Sequence, residues 1–255
     1  MKPAYLVVLI TALTSLSGCT KDYSLAPPAD SEQITVTIKV PDQLKAETML
    51  VVYRSKLCVF TDRNPSGVAY TSEGYQKADI QPERQGQSDL YVAKLPVDGG
   101  GACQWRISNV TFGVVYENPA QFGEGITHGT GGGVVVVFDY NKTLSSGSNL
   151  IIKGDLKIKE EYYPWVDEVF LGRYINTINL LGGGHKYLRY QAIQARNIYF
   201  EPVLHSAFVL YSKGPKKKGN YTSFTYPDGS IESDGRPTSK FLNLQLIRKA
   251  SEAAQ

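Results

Sequence analysis

The residues of this chain with the most definite chemistry are its three cysteines, Cys19, Cys58 and Cys103. Cys19 stands alone near the start, whereas the other two fall 45 residues apart in a stretch of short β-type runs. In an oxidising compartment two such thiols are most simply read as a structural disulfide. Closing that loop would stabilise the fold by roughly 4 kcal/mol in the chain-entropy account. The alternative is a redox or metal pair, but there is neither a CxxC spacing nor a cluster of histidines. His128, His185 and His205 are isolated from one another, and no HExxH or Cys/His metal spacing occurs. They read as surface or core residues; His128 and His185, both in Gly-rich loops, are the pair whose convergence would matter. No GxSxG elbow and no SxxK pair is present. Glu160-Glu161 and Asp167-Glu168 are paired acids, but neighbours on a strand point to opposite faces, so they read as solvated edge charges. Residues 123–133 (GEGITHGTGGG) have the wrong spacing for a dinucleotide loop, and a valine run follows where a helix would be needed. The expectation is a protein that is not an enzyme, with no metal and no cofactor.

Binding chemistry is easier to place. Four lysines fall within six residues, at 213, 216, 217 and 218, and could meet an acidic protein patch or anionic lipid. A solvated hairpin tip whose charges resist edge pairing is the plainer alternative. Residues 221–236 (YTSFTYPDGSIESDGR) mix aromatics with Asp, Ser and Gly, the palette of protein-binding loops and also of ordinary turns. Interface energy concentrates in a few aromatic and Arg anchors. The candidate partner-binding residues are therefore Lys216, Lys217, Lys218, Tyr221, Tyr226 and Arg236. Lys and Arg number 27 against 24 acids, a near-neutrality that argues against a nucleic-acid partner.

The elements that must position these residues read as strands. Residues 34–40 (ITVTIKV), 90–95 (LYVAKL) and 150–159 (LIIKGDLKIK) alternate apolar with polar, and residues 49–53 and 57–60 are short β-type runs. Residues 62–86 are turn-rich and read as a long excursion. Residues 104–116 read as one bent strand or two, and 134–140 (VVVVFDY) as a strand buried on both faces. Residues 166–178 carry β-branched residues and aromatics, while 186–200 fit helix and strand equally. Residues 203–212 and 220–226 suggest a hairpin closed by the basic loop, and 241–247 (FLNLQLI) a last alternating strand before a frayed tail at 248–255. The fold expected is all-β and sandwich-like with little helix, with two β halves, 33–122 and 123–247, meeting near residue 125 as one arrangement.

The first thirty residues give a destination. A short positive start, an apolar run over residues 5–16 and small residues before Cys19 follow the plan of a secretory signal peptide, 1–18. The apolar run is about a dozen residues against the ~20 of a spanning helix. Leu16-Ser17-Gly18-Cys19 resembles the bacterial lipobox, which implies acylation of Cys19 and a membrane anchor. In lipoproteins of that kind a residue other than Asp after the cysteine, here Thr20, implies export to the outer membrane, facing the periplasm. Each buried acyl methylene contributes ~0.8 kcal/mol, so several chains hold firmly. Residues 19–32, with Pro27-Pro28, read as the lipidated terminus and a tether. A lipid-anchored β protein of this size is similar to the immunity lipoproteins that guard against antibacterial toxins of type VI secretion. That resemblance implies a toxin as protein partner and neutralisation by occlusion. A structural or assembly accessory of an envelope complex, and a carrier of a small ligand or glycan, are the other readings.

Overall fold

The computed structural model describes residues 22–140, 150–183 and 187–254. The segment expected to be a signal peptide, the expected acylation site Cys19, and His185 lie outside the described residues. Period-2 alternation does most of the building. In Gln33–Lys39 (β1) Ile34, Val36 and Ile38 point inward while the intervening residues stay half-exposed. Met49–Arg63 (β2) and Ala69–Ile80 (β3) form a long hairpin, followed by Leu90–Pro96 (β4) and Trp105–Tyr116 (β5). Gly132–Val137 (β6) is buried at every position, as its unbroken apolar run requires. Leu156–Phe170 (β7), Tyr174–Gly182 (β8), Tyr187–Gln191 (β9), Asn197–Leu204 (β10), Leu210–Lys213 (β11), Ser223–Thr225 (β12) and Ile231–Glu232 (β13) follow, and five short strands, Leu44–Ala46, Glu83–Arg84, Asp98–Gly100, Thr127–His128 and Leu150–Ile151, lie among them. One helix, Lys240–Ala253 (α1), ends the described chain. None of the described helices is long and apolar enough to cross a membrane.

These strands form two packed mixed sheets of ten and eight strands, very short ones included. The fold is an all-β sandwich. The smaller sheet runs β9-β6-β5-β2-β3, and the larger contains β1, β4, β7, β8 and β10 to β13. Phe112 of β5 meets Phe200 of β10 edge to face, with ring centroids 5.9 Å apart, in the main core between the sheets. Both sheets draw strands from either side of residue 125: β1 pairs in parallel with β10, and β5 pairs with β6.

Strand β7 is the spine that sets distances in the larger sheet. Tyr162 pairs with Gly182 of β8 on one edge and Leu204 of β10 on the other; further along, Val166 pairs with Ile178 of β8 and Tyr211 of β11. Strands β10 and β11 therefore follow one another along the same edge of β7. Because β1, β7 and β10 are parallel, their first residues share one end of the sandwich, and β11, also parallel, starts nine residues further along β7. From Leu156, level with Val36 through Ile198, to Glu168, level with Lys213, is twelve residues, about 40 Å of strand at ~3.3 Å each. The N-terminal segment enters at one end and the basic loop leaves at the other.

Several expectations are corrected. Residues 241–247 are not a strand, and 248–253 of the expected tail are not frayed; both belong to α1. The alternating Leu242, Leu244 and Leu246 imitate a strand, yet only Leu244 is buried, beside Phe241 and Ile247 at helical spacing. Ser239 supplies the N-cap, its hydroxyl accepting from the Leu242 N–H at 3.3 Å. The excursion expected over residues 62–86 is largely the β2–β3 hairpin, turning at 64–68. Residues 186–200 contain strands β9 and β10 rather than a helix, and residues 104–116 hold a single strand, β5. The tether expected at 19–32 is, from Asp22 on, packed on the domain. Ala26 bridges to Gly100, and the Val97 N–H donates to the Glu32 carbonyl at 2.8 Å. Gly100 must be glycine: its φ is +59°, and a Cβ there would sit 2.0 Å from the Ala26 carbonyl oxygen. The hairpin expected around the basic loop is present as β11–β12. Cys58 and Cys103 are joined as a disulfide, with Cα atoms 5.4 Å apart.

Candidate partner-binding surface

The basic loop and residues 221–236 meet at the far end of the larger sheet, where β11, β12, β13 and α1 converge on a second, smaller core. Tyr163, Leu210, Tyr226 and Leu244 are buried there. Two of the four lysines, Lys213 and Lys216, lie over one aromatic ring. Lys213 Nζ pairs with Glu168 Oε2 at 2.8 Å and lies 4.7 Å from the centre of the Tyr174 ring; Lys216 Nζ lies 5.4 Å from the same ring. The hydrogen bond to Glu168 raises the Lys213 pKa above its ordinary value, so its charge is secure at neutral pH. Lys216, Lys217 and Lys218 are all exposed.

Tyr221 is 61% exposed and lays its ring against Gly235, where a Cβ would sit 2.3 Å from the ring. Arg236 is exposed and its guanidinium pairs with Asp234, whose carboxyl that hydrogen bond holds below the usual carboxylate range. Behind them, a shallow cavity of about 340 Å³ is lined by Tyr221, Phe224, Glu232, Arg236 and Lys240 among others. Burial alone would raise the Glu232 pKa. Hydrogen bonds from Lys240, Thr238 and Tyr226 outweigh it and hold the carboxyl below its ordinary value. The same ammonium of Lys240 sits 4.3 Å from the centre of the Phe224 ring. The cavity floor is thus a fixed charge pair on an aromatic, and its rim is the exposed Tyr221 and the Arg236–Asp234 pair.

Tyr226 does not belong with them. It is 6% exposed, its hydroxyl donating to Glu232 at 2.9 Å and accepting from Asn243 Nδ2 at 3.1 Å. Burial pushes its pKa up to about 12. It ties the 226–232 turn to α1 from inside, so replacing it would disturb packing rather than remove an anchor. Of the six candidate residues, five are exposed around this end and one is core.

A polar cluster under α1 is not legible in the sequence, because it unites Glu161, Tyr163 and His205 with residues of a helix that reads there as strand and tail. Glu161 accepts from Gln245 Nε2 and from Arg248 Nη2, the latter at 3.2 Å; Arg248 Nε donates to the Tyr163 hydroxyl at 3.0 Å. His205 stacks on the Tyr163 ring at 4.9 Å, its Nε2 3.4 Å from Glu161 Oε1, too poorly placed for a hydrogen bond. Glu161 is therefore not a solvated edge charge. Glu160, on the opposite face, is half-buried, and that burial raises its pKa. Asp167 accepts from the buried Ser212 hydroxyl at 2.5 Å, which in turn accepts from Trp165 Nε1 at 2.7 Å. With its single proton donated to Asp167, that hydroxyl serves as a structural bridge. His128 Nε2 lies 2.8 Å from the Tyr116 carbonyl oxygen, and no group of three metal-ligating side chains occurs among the described residues.

One pH effect follows from this cluster. Burial, and then the Arg248 charge, lower the His205 pKa; Glu161 opposes them and loses. The unfolded chain therefore takes up this proton at a higher pH than the folded one. The contribution is whole above about 6.5, the ordinary histidine value, and is lost as pH falls from there through the folded pKa. Denaturation midpoints measured at about pH 7.5 and pH 5.5 should fall more in the wild type than in His205→Gln. An identical fall in both would remove His205 as the source.

No family model, no curated protein and no solved structure matches this chain.

Proposed function

We propose that this chain is a lipid-anchored, periplasm-facing protein that captures another protein, on the pattern of the immunity lipoproteins that cover the active site of an antibacterial toxin. The observation that supports it most is the placement of Lys216 to Lys218, Tyr221 and Arg236, exposed together at the end of the sandwich about 40 Å along β7 from where the N-terminal segment enters. An anchor at Cys19 would hold the first end at the membrane and present the second to the periplasm. Tyr and Arg are the residue types in which interface energy concentrates, and three exposed lysines draw an acidic partner in.

The test is an envelope pull-down with the mature protein from the producing strain and its competitors, followed by titration of whatever is retained. Tyr221→Ala or Arg236→Ala should weaken capture by about 1 kcal/mol or more. Reversing Lys216, Lys217 and Lys218 to Glu should mainly slow association, most strongly at low salt. His128→Ala should leave capture unchanged. If the loop variants bind as the wild type does while a histidine variant loses activity, the reading fails.

A further inference from the structure

Strand β2 pairs with both β3 and β5 as far as Arg54, opposite Arg106; from Ser55 onward β3 is its only strand partner among the described residues. The hairpin therefore overhangs the sandwich as a two-stranded ribbon, by the five residue steps from Gly74 to Ala69, about 17 Å at ~3.4 Å each. Such a ribbon has no core of its own and is marginal in water. Beside exposed polar residues such as Thr61, Asp62, Arg63 and Asn64, it exposes Leu57, Val59, Phe60, Val68, Tyr70 and Tyr75, with Val68 60% exposed. The overhang itself is balanced, with Lys56 and Arg63 against Asp62 and Glu73, and Arg54 and Lys77 add two positive charges at its base. An apolar patch of this kind marks a surface with an occupant.

The route of the N-terminal segment says which. The Tyr23 carbonyl accepts from Trp105 Nε1 at 3.1 Å, at the start of β5, and from Gln76 Nε2 at 3.0 Å, at the base of the ribbon. The Cys58–Cys103 disulfide pins the ribbon to the same corner. Only Thr20 and Lys21 separate Cys19 from Asp22. Three residues span at most about 11 Å, so an acyl anchor on Cys19 would bring the bilayer surface within reach of a ribbon that projects further than that. We infer that the β2–β3 ribbon is a second membrane-binding element, seating its apolar side chains at the headgroup–acyl boundary of an anionic phospholipid bilayer. Tyrosines favour that boundary, and Arg54 and Lys77 at the base of the ribbon match anionic headgroups. Two attachments at one end would fix the tilt of the sandwich and keep the opposite surface pointed away. The inference rests on the anchored reading above.

Two variants, Phe60→Trp and Val68→Trp, and a control at the opposite end, Leu171→Trp, are reconstituted as mature protein into vesicles of phosphatidylethanolamine and phosphatidylglycerol with brominated acyl chains. The tip variants should lose emission about twofold relative to unbrominated vesicles, as for groups seated ~5–10 Å into the interface, and the control should not. A closed disulfide on a non-reducing gel shows that each variant has folded. Unquenched tip variants on protein that floats with the vesicles overturn the inference, as does quenching of Leu171→Trp to the same degree. Tip emission that responds to protein concentration and not to lipid makes the ribbon an interface between copies, and also overturns it. The mass of the mature N-terminus tests the anchor separately. Should Cys19 carry no acyl group, the anchored reading fails, and quenching of the unacylated protein by the same vesicles still decides for or against the ribbon.

Discussion

Leu244→Ala should cost about 2–5 kcal/mol, the range for emptying a fully buried leucine site. Leu244 is the single fully buried residue of α1, and it closes the second core over Tyr163, Leu210 and Tyr226. The loss should appear as a lower denaturant midpoint with the slope retained. It should also weaken whatever Tyr221 and Arg236 hold, because the turn that carries them is tied to α1 through Tyr226 and Asn243. Leu246→Ala, two residues on and largely exposed, should be close to neutral. If both changes proved equally mild, α1 would be a loosely attached appendage and the second core would not exist in solution.

Removing the disulfide is the other large effect. Cys58→Ser or Cys103→Ser should lower stability by roughly 4 kcal/mol, mostly by releasing the 45-residue loop in the unfolded chain. The bond also clamps the base of the β2–β3 ribbon to β5, so the variants should show faster amide exchange at residues 55–60 than at the β1–β4 pairing. Protein purified from an oxidising compartment should run faster on a non-reducing gel than either variant. Free alkylation of both thiols in native protein would contradict the bond.

The pairing of Cys58 with Cys103 was legible because a chain with two candidate thiols in one region has one simple solution. The β-class was legible because alternation is local: Ile34, Val36 and Ile38 announce a half-buried strand whatever lies opposite. The valines of β6 likewise announce a strand covered on both faces. Helix α1 was misread for a related reason. Phe241-Leu242-x-Leu244-x-Leu246-Ile247 satisfies both periods, and only the apolar floor offered by Tyr163 and Leu210 selects Phe241, Leu244 and Ile247 as the inward face. Tyr226 looked like a binding anchor because composition does not report depth; the helix that buries it lies 14 residues and more further on.

By itself, then, the sequence determined the residues that alternate, the ends of a few strands such as β1, β4 and β5, and the one available disulfide. Those follow from side-chain period, turn chemistry and cysteine count, all of which act within a few residues or by elimination. Tertiary structure alone decided that both sheets draw strands from either side of residue 125, that β1, β7 and β10 run parallel, and that the N-terminal segment and the basic loop lie at opposite ends. It also decided that Glu161, His205 and Arg248 share a cluster and that the β2–β3 ribbon overhangs beside Tyr23. Parallel pairing and packing between distant segments depend on shape and burial across the whole sandwich, and no local pattern of residues encodes them.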